Sequence, residues 1–202
     1  MENLFKFLED FHKIKGRLPL TDGHIVLILH YIAKREHAGR YYLMEKTGIK
    51  EATLRGSLSR LREMGILNAY RGGHMLTEKG MKLLGEISKY IKILDMESPI
   101  KIDKYNTIFI VRRMENLGNI LRWRDMVIKY GGTGLVILSY RDGKILFPES
   151  DEEVTKYYPD FPDRLRENVR LYENDTILIV GGETYINTLV SGLNTIIEML
   201  RK

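Results

Sequence analysis

Within the 202-residue chain, the segment GRYYLMEKTGIKEATLRGSLSRLREMGIL, Gly39 to Leu67, holds the side chains best suited to do chemistry together. Its second part, Lys50–Met64, carries Leu54, Leu58 and Leu61 at i, i+4 and i+7, which on a helix form one apolar stripe for a core. At about 100° per residue, the opposite face holds Ala52, Thr53, Gly56, Ser59 and Arg60, with Ser57 at its edge and Arg55 and Arg62 flanking it. Small residues ringed by hydroxyls and guanidinium groups suit a helix that must approach the base edges of duplex DNA closely. A merely solvated helix would show more Glu and Lys there. Downstream, Ile66–Tyr70 and Met75–Thr77 are joined by Arg71-Gly72-Gly73-His74. That is a hairpin whose tip glycines allow positive φ, and Arg71 and His74 would bring donors to a phosphate or a minor groove.

Other chemistry is sparse. There is no cysteine, which excludes disulfides, zinc-thiolate sites and thiol catalysis. His24, His30 and His37 do not have the two-histidine spacing of metal helices and read as packing or surface residues. In the second half, Gly181-Gly182 precedes Glu183 between a buried strand and a helix start, where helix N–H groups attract anions. Gly131-Gly132-Thr133-Gly134 leads into another strand in the same way. Gly132, Thr133, Gly181, Gly182 and Glu183 are therefore candidates for binding a ligand, with tight strand–helix packing as the competing explanation. Neither loop is a nucleotide fingerprint. Asp151-Glu152-Glu153 reads as dipole-compensating capping at a helix start. No nucleophile–base pair and no metal set is present in the pattern, so neither a catalytic residue nor a cofactor is expected.

The elements that must position these groups follow from periodicity. Leu4, Phe5, Leu8, Phe11 and Ile14 mark a first helix that Gly16 and Pro19 end. Thr21-Asp22 caps a second through Ile25, Ile28, Leu29 and Ile32. A short helix, Tyr41–Lys46, stops at Thr47-Gly48, a tight turn leads to Lys50–Met64, and Thr77 caps a last helix from Glu78 to about Ile93. Residues 97–106, with Pro99 and mixed charge, read as a linker or domain edge. The period then changes. Strand Thr107–Val111, helix Leu117–Tyr130, strands Leu135–Tyr140 and Ile145–Phe147 about an Asp142-Gly143 turn, a Pro-interrupted helical stretch Glu152–Asn168, strand Thr176–Val180 and helix Glu183–Leu200 follow in order. The predicted fold class is α+β: a winged helix-turn-helix domain over 1–96, then a small α/β sandwich domain over 107–202 with a mixed sheet ordered β-α-β-β-α-β-α.

Charge separates the two halves. The net +5 of the chain resides in residues 1–97, which hold 17 Lys/Arg against 12 Asp/Glu, whereas residues 98–202 hold 15 of each. A localised basic excess fits a phosphate-backbone partner. Apolar residues at 44% and charged residues at 29% describe a globular chain with a real core. The longest apolar stretches fall far short of the roughly 20 residues that span a bilayer, and MENLFKFLEDF reads as a helix rather than a signal segment. A cytoplasmic location is the expectation.

GRYYLMEKTGIKEATLRGSLSRLREMGIL, with the short wing and LTEKG, resembles the winged helix-turn-helix domains of archaeal transcription regulators over about Leu20–Leu94. The resemblance implies base contacts from Thr53, Gly56, Ser57 and Arg60, and phosphate contacts from Lys50, Arg55, Arg62 and Arg71. The wing departs from the pattern in being short, with one arginine. WRDMVIKYGGTGLVILSYRDGKILFP and DTILIVGG resemble the C-terminal domain that archaeal proteins join to such a winged helix; that resemblance supplies architecture rather than activity. The expected function is a DNA-binding regulator, double-stranded DNA its partner, acting as a homodimer whose second domain senses a small-molecule effector or provides the dimer contact. A small-molecule transferase in the second half, or a protein-interaction adaptor, are the competing classes. The absence of glutamine with abundant Lys, Arg, Glu and Ile points to a thermophilic source, for which calorimetry should show a melting temperature above about 60 °C.

Overall fold

The computed structural model describes residues 2–14, 18–35, 37–112 and 118–201. Gly16, expected to end the first helix, and Leu117, expected to begin a later one, lie outside them. Two compact units are present, one built on Met1–Ser88 and the other on Lys89–Leu200.

In the first unit, α1 (Glu2–Lys13) buries Leu4, Phe7, Leu8 and Phe11. The next helix, α2 (Asp22–Ala33), buries eight of its twelve residues, among them Ile25, Ile28, Leu29 and Ile32. A helix apolar nearly all round must be surrounded, and α2 is the centre of this core. Thr21 stands before it in extended conformation, its hydroxyl 2.8 Å from His24 Nδ1. Burial lowers the pKa of His24, and burial with Lys34 nearby lowers that of His30 to about 4. These histidines are neutral packing groups near pH 7.

Packed on α2 is α3 (Arg40–Thr47), followed by α4 (Glu51–Glu63), the hairpin strands β1 (Leu67–Tyr70) and β2 (Gly73–Leu76), and α5 (Glu78–Tyr90). The hairpin register pairs Tyr70 with Gly73, so the turn itself is only Arg71-Gly72 and His74 belongs to a strand. His74 and Ala38 exchange both backbone hydrogen bonds at 3.0 Å, adding a third short strand segment to the wing. Gly73 is required for this contact. Its φ is +143°, and a Cβ there would lie 2.5 Å from the Ala38 carbonyl oxygen. The LTEKG run acquires a physical role as well: Thr77 Oγ1 accepts from Gly80 N at 3.1 Å and donates to the Gly65 carbonyl at 2.7 Å.

In the second unit, the strands are β3 (Ile91–Leu94), β4 (Tyr105–Val111), β5 (Gly134–Arg141), β6 (Lys144–Leu146) and β7 (Thr176–Gly182), in sheet order β3-β4-β7-β5-β6. Every pairing is antiparallel, which corrects the expected mixed sheet. β4 and β5 run in one direction, and β7 enters between them in the other. The helices α6 (Ile120–Lys129) and α8 (Tyr185–Leu200) pack together on one face, where Gly192 lets the Phe109 ring approach and Thr107 Oγ1 lies 2.5 Å from Thr188 Oγ1. Ile108, Ile110, Leu138, Ile177 and Ile179 point to the other face and are covered by Val154 of a short 3-10 turn and by Phe161 and Leu165 of α7 (Phe161–Asn168).

The unit begins earlier than the sequence suggests. Ile91 and Leu94 continue the helical spacing of Leu84 and Ile87, yet Ile91–Leu94 pairs with β4 as an edge strand, so the boundary lies at 88/89 rather than 96/97. Residues 97–106, expected as a linker or domain edge, belong to the unit. Ile100 is buried, and Asn106 Oδ1 accepts from the backbone N–H of Ile102 and Asp103 at 2.8 and 3.2 Å.

Among the described residues of this unit, Arg112 and Asp175 form a buried charged pair. Arg112 donates to Asp175 Oδ2 and, at 2.9 Å, to the Arg170 carbonyl, while Tyr172 N–H donates to Asp175 at 2.8 Å. Burial pushes the Asp175 carboxyl up, opposed by that N–H and by the Arg112 charge. Arg112→Met or Asp175→Asn alone strands a charge and should cost about 3–5 kcal/mol, with the double replacement costing less than the sum. Trp123, the only tryptophan and buried in this unit, reports that unfolding by fluorescence in urea. In the first unit, Gly73→Ala should abolish amide-exchange protection at Ala38 and His74, whereas Gly72→Ala, whose new Cβ would meet His37 Cβ at 3.4 Å, should leave it intact.

Candidate nucleic-acid interface

The helix–turn–helix depends on the way α3 stops. Gly48 takes φ +68° and donates to the Met44 carbonyl at 2.9 Å, while Thr47 Oγ1 donates to the Leu43 carbonyl at 2.6 Å. The chain reverses, Ile49 plugs into the core, and α4 starts at Glu51 after Lys50. Among the described residues, no side chain caps α4, and its first N–H groups lack a partner within the helix.

Leu54, Leu58 and Leu61 face inward as the stripe requires. The buried arc is wider than that stripe, however, and extends to Ser57 and Arg60. Arg60 donates from Nη1 to the Phe11 carbonyl at 2.9 Å, its guanidinium carbon lies 5.0 Å from the Phe11 ring centroid, and it is 5% exposed. Ser57 is fully buried, with its hydroxyl donated to the Thr53 carbonyl at 2.7 Å. Gly56 faces Leu18, whose Cδ2 would stand 3.1 Å from an added Cβ. Arg60 and Gly56, expected on the exposed face, are thus taken up by α1 and by Leu18 after it, and Ser57, expected at its edge, is buried within α4.

The exposed face is thereby turned by roughly 70° from the expected one, at 100° per residue. It carries Ala52, Arg55 and Arg62, with Ser59 half-exposed between them, and Lys50 is exposed at its start. Thr53 is half-buried at its margin. Glu51 and Glu63 also reach solvent; Glu51 lies 3.9 Å from Arg40, and Ser59 donates to Glu63 at 3.3 Å. Beside this face, Arg71 is exposed at the wing tip. Sequence reasoning passed over Tyr41, 85% exposed in the first turn of α3, and Tyr70, 52% exposed beside the tip. A large aromatic side chain left in water next to a basic surface was the available signal.

His74 does not fit the role of a cationic donor. It is half-buried and held by its backbone to Ala38, and burial, with Arg62 and Arg40 nearby, lowers its pKa. The same two arginines bring the start of α3 and the end of α4 near the wing.

The loops singled out in the second unit are close-packed. A Cβ on Gly132 would meet Val127 Cγ1 at 2.5 Å and Ser191 Oγ at 2.7 Å; one on Gly181 would meet Ile102 at 2.6 Å; one on Gly182 would meet Thr188 at 3.0 Å. Gly181 and Gly182 are the last residues of β7, not a loop. Thr133 and Glu183 are exposed, and Thr133 lowers the pKa of Asp103 by a side-chain hydrogen bond. Space is found instead in the first unit, in a groove of about 410 Å³ between α1 and α5 lined by Lys6, Phe7, Asp10, Ile66, Leu83 and Glu86. Among the described residues, no His/Asp/Glu group could hold a metal ion and no helix is long and apolar enough to cross a membrane.

No curated protein matches the chain. A hypothetical protein from Pyrococcus horikoshii OT3 has the same fold, with a TM-score of 0.75 at 22% identity over 90% of this chain and 94% of that one. Residues 26–91 match the CggR N-terminal DNA binding domain, and residues 102–199 match a domain of unknown function, DUF4443. The chain is thus similar to the CggR N-terminal DNA binding domain in its first part and to DUF4443 in its second.

Proposed function

We propose that this chain is a transcription regulator that sets the exposed face of α4 into the major groove of duplex DNA. The observation that carries this reading is the pairing of Arg55 and Arg62 with the small residues Ala52 and Ser59 on the solvent side of α4, within a domain of CggR type. Ala52 and Ser59 let the helix axis come close to the base edges, and Arg55 donates two of its guanidinium N–H groups to a guanine. Lys50, Arg62 and Arg71 hold phosphates, with Arg40 beside them and the open N-terminus of α4 accepting one more. Arg60, Ser57 and Gly56 serve the fold of the same domain.

A helix of this length reads few base pairs, so two copies acting on half-sites about 34–36 Å apart complete the operator. The second domain provides the contact between them. Affinity for genomic DNA fragments, measured by fluorescence anisotropy between roughly 50 and 200 mM salt, should fall steeply with salt. Arg55→Ala should cost about 1–3 kcal/mol and relax sequence preference, whereas Lys50→Ala should weaken all sequences alike and reduce the salt slope by about 1. Unchanged affinity in both variants, or negligible binding at the lowest salt, overturns the reading.

A further inference from the structure

The outer face of α6 has a pattern that neither the fold nor the DNA surface uses. Trp123 and Val127 bury the inner side of this ten-residue helix. Leu121 and Ile128 stand outward, 61% and 49% exposed, although both are large and apolar. Arg124 and Asp125 are exposed between them. On a helix, positions 121, 124, 125 and 128 fall at i, i+3, i+4 and i+7, a single stripe opposite the buried one. Among the described residues, neither Arg124 nor Asp125 forms an ion pair.

The order of that stripe, apolar–basic–acidic–apolar, is complementary to itself when reversed. Two such helices placed antiparallel about a two-fold axis between Arg124 and Asp125 set Leu121 of each copy against Ile128 of the other. The same axis sets Arg124 of each copy against Asp125 of the other. An isologous contact needs this reciprocity: if one residue meets a second across the axis, the second must meet the first. A chance surface with two exposed apolar residues would pair like charges as readily as opposite ones.

We infer that α6 is the contact between two copies of this chain, joined as an antiparallel helix pair. The inference rests on the dimeric form of the proposed regulator, and names the surface that makes it. A helix about 15 Å long buries an area at the small end of specific interfaces, so association is concentration-dependent. The two apolar pairs supply the attraction, and the two charge pairs fix the register and exclude the parallel arrangement.

Sedimentation equilibrium of the full chain without DNA separates this contact from DNA binding. Wild-type chain should reach the dimer mass by roughly 100 µM, a modest affinity on the usual scale. Arg124→Asp sets two acids against two acids, and Asp125→Arg two bases against two bases; each should weaken association at least about tenfold, with unchanged circular dichroism and Trp123 emission. Arg124→Asp and Asp125→Arg combined in one chain should restore the dimer, and an equimolar mixture of the two single variants should form a heterodimer. A monomeric wild type, single variants that associate as wild type, or failure of the combined variant or the mixture to recover association would each overturn the inference. Loss of DNA binding with the mass behaviour intact would instead count only against the proposed function.

Discussion

The hydrogen bond from Arg60 to the Phe11 carbonyl, with the guanidinium lying on the Phe11 ring, fixes the rotation of α4 about its own axis. Three leucines would hold the helix in place but leave its angular setting loose, since an apolar stripe tolerates some roll. An arginine buried to 5% exposure does not, because its donors must keep their acceptor or be left unsatisfied. Everything about which side chains α4 shows to solvent follows from that one arrangement. It turns Arg55 and Arg62 outward and buries a residue whose type alone would place it at the surface.

The second unit depends on a different constraint, the position of β7. Entering between β4 and β5 against both, it is bonded on either edge and covered on either face, and all seven of its residues are buried. The close approaches of Ile102, Val127 and Thr188 to the glycines at this end of the sheet are the local price of that placement. Glycine here makes room for neighbouring side chains rather than for a ligand. The buried Arg112–Asp175 pair closes the other end of β7, where Asp175 also holds the Tyr172 N–H.

Much of this was legible in the residues. Gly48 and Gly65, both at positive φ, and the capping Thr77 delimit the helix–turn–helix and its wing because each acts on its immediate neighbours. What could not be read were features set by distant partners. Arg60 is buried by a residue 49 positions earlier, and nothing within α4 announces it. Ile91–Leu94 has the spacing of the helix it follows and becomes a strand only because β4 offers an edge. The continuous apolar runs Thr107–Val111 and Thr176–Val180 correctly signal burial on both faces, but burial carries no information about strand direction, so the sheet's antiparallel order was lost. His74 belongs to the strand rather than the turn because it bonds to Ala38, a partner outside the hairpin.

The division of labour around α4 has a consequence for how such a domain diversifies. Leu54, Ser57, Leu58, Arg60 and Leu61 are answerable to the core, and a change in any of them is felt as instability. Ala52, Arg55, Ser59 and Arg62 face water and carry no share of that core. Descendants of one ancestral chain can therefore exchange these four residues at less cost to the fold, and if this face meets DNA as proposed, new binding preferences arise without poorly folded intermediates. Duplicated copies within one genome would part company at these positions first, while the framework beneath stayed recognisably the same.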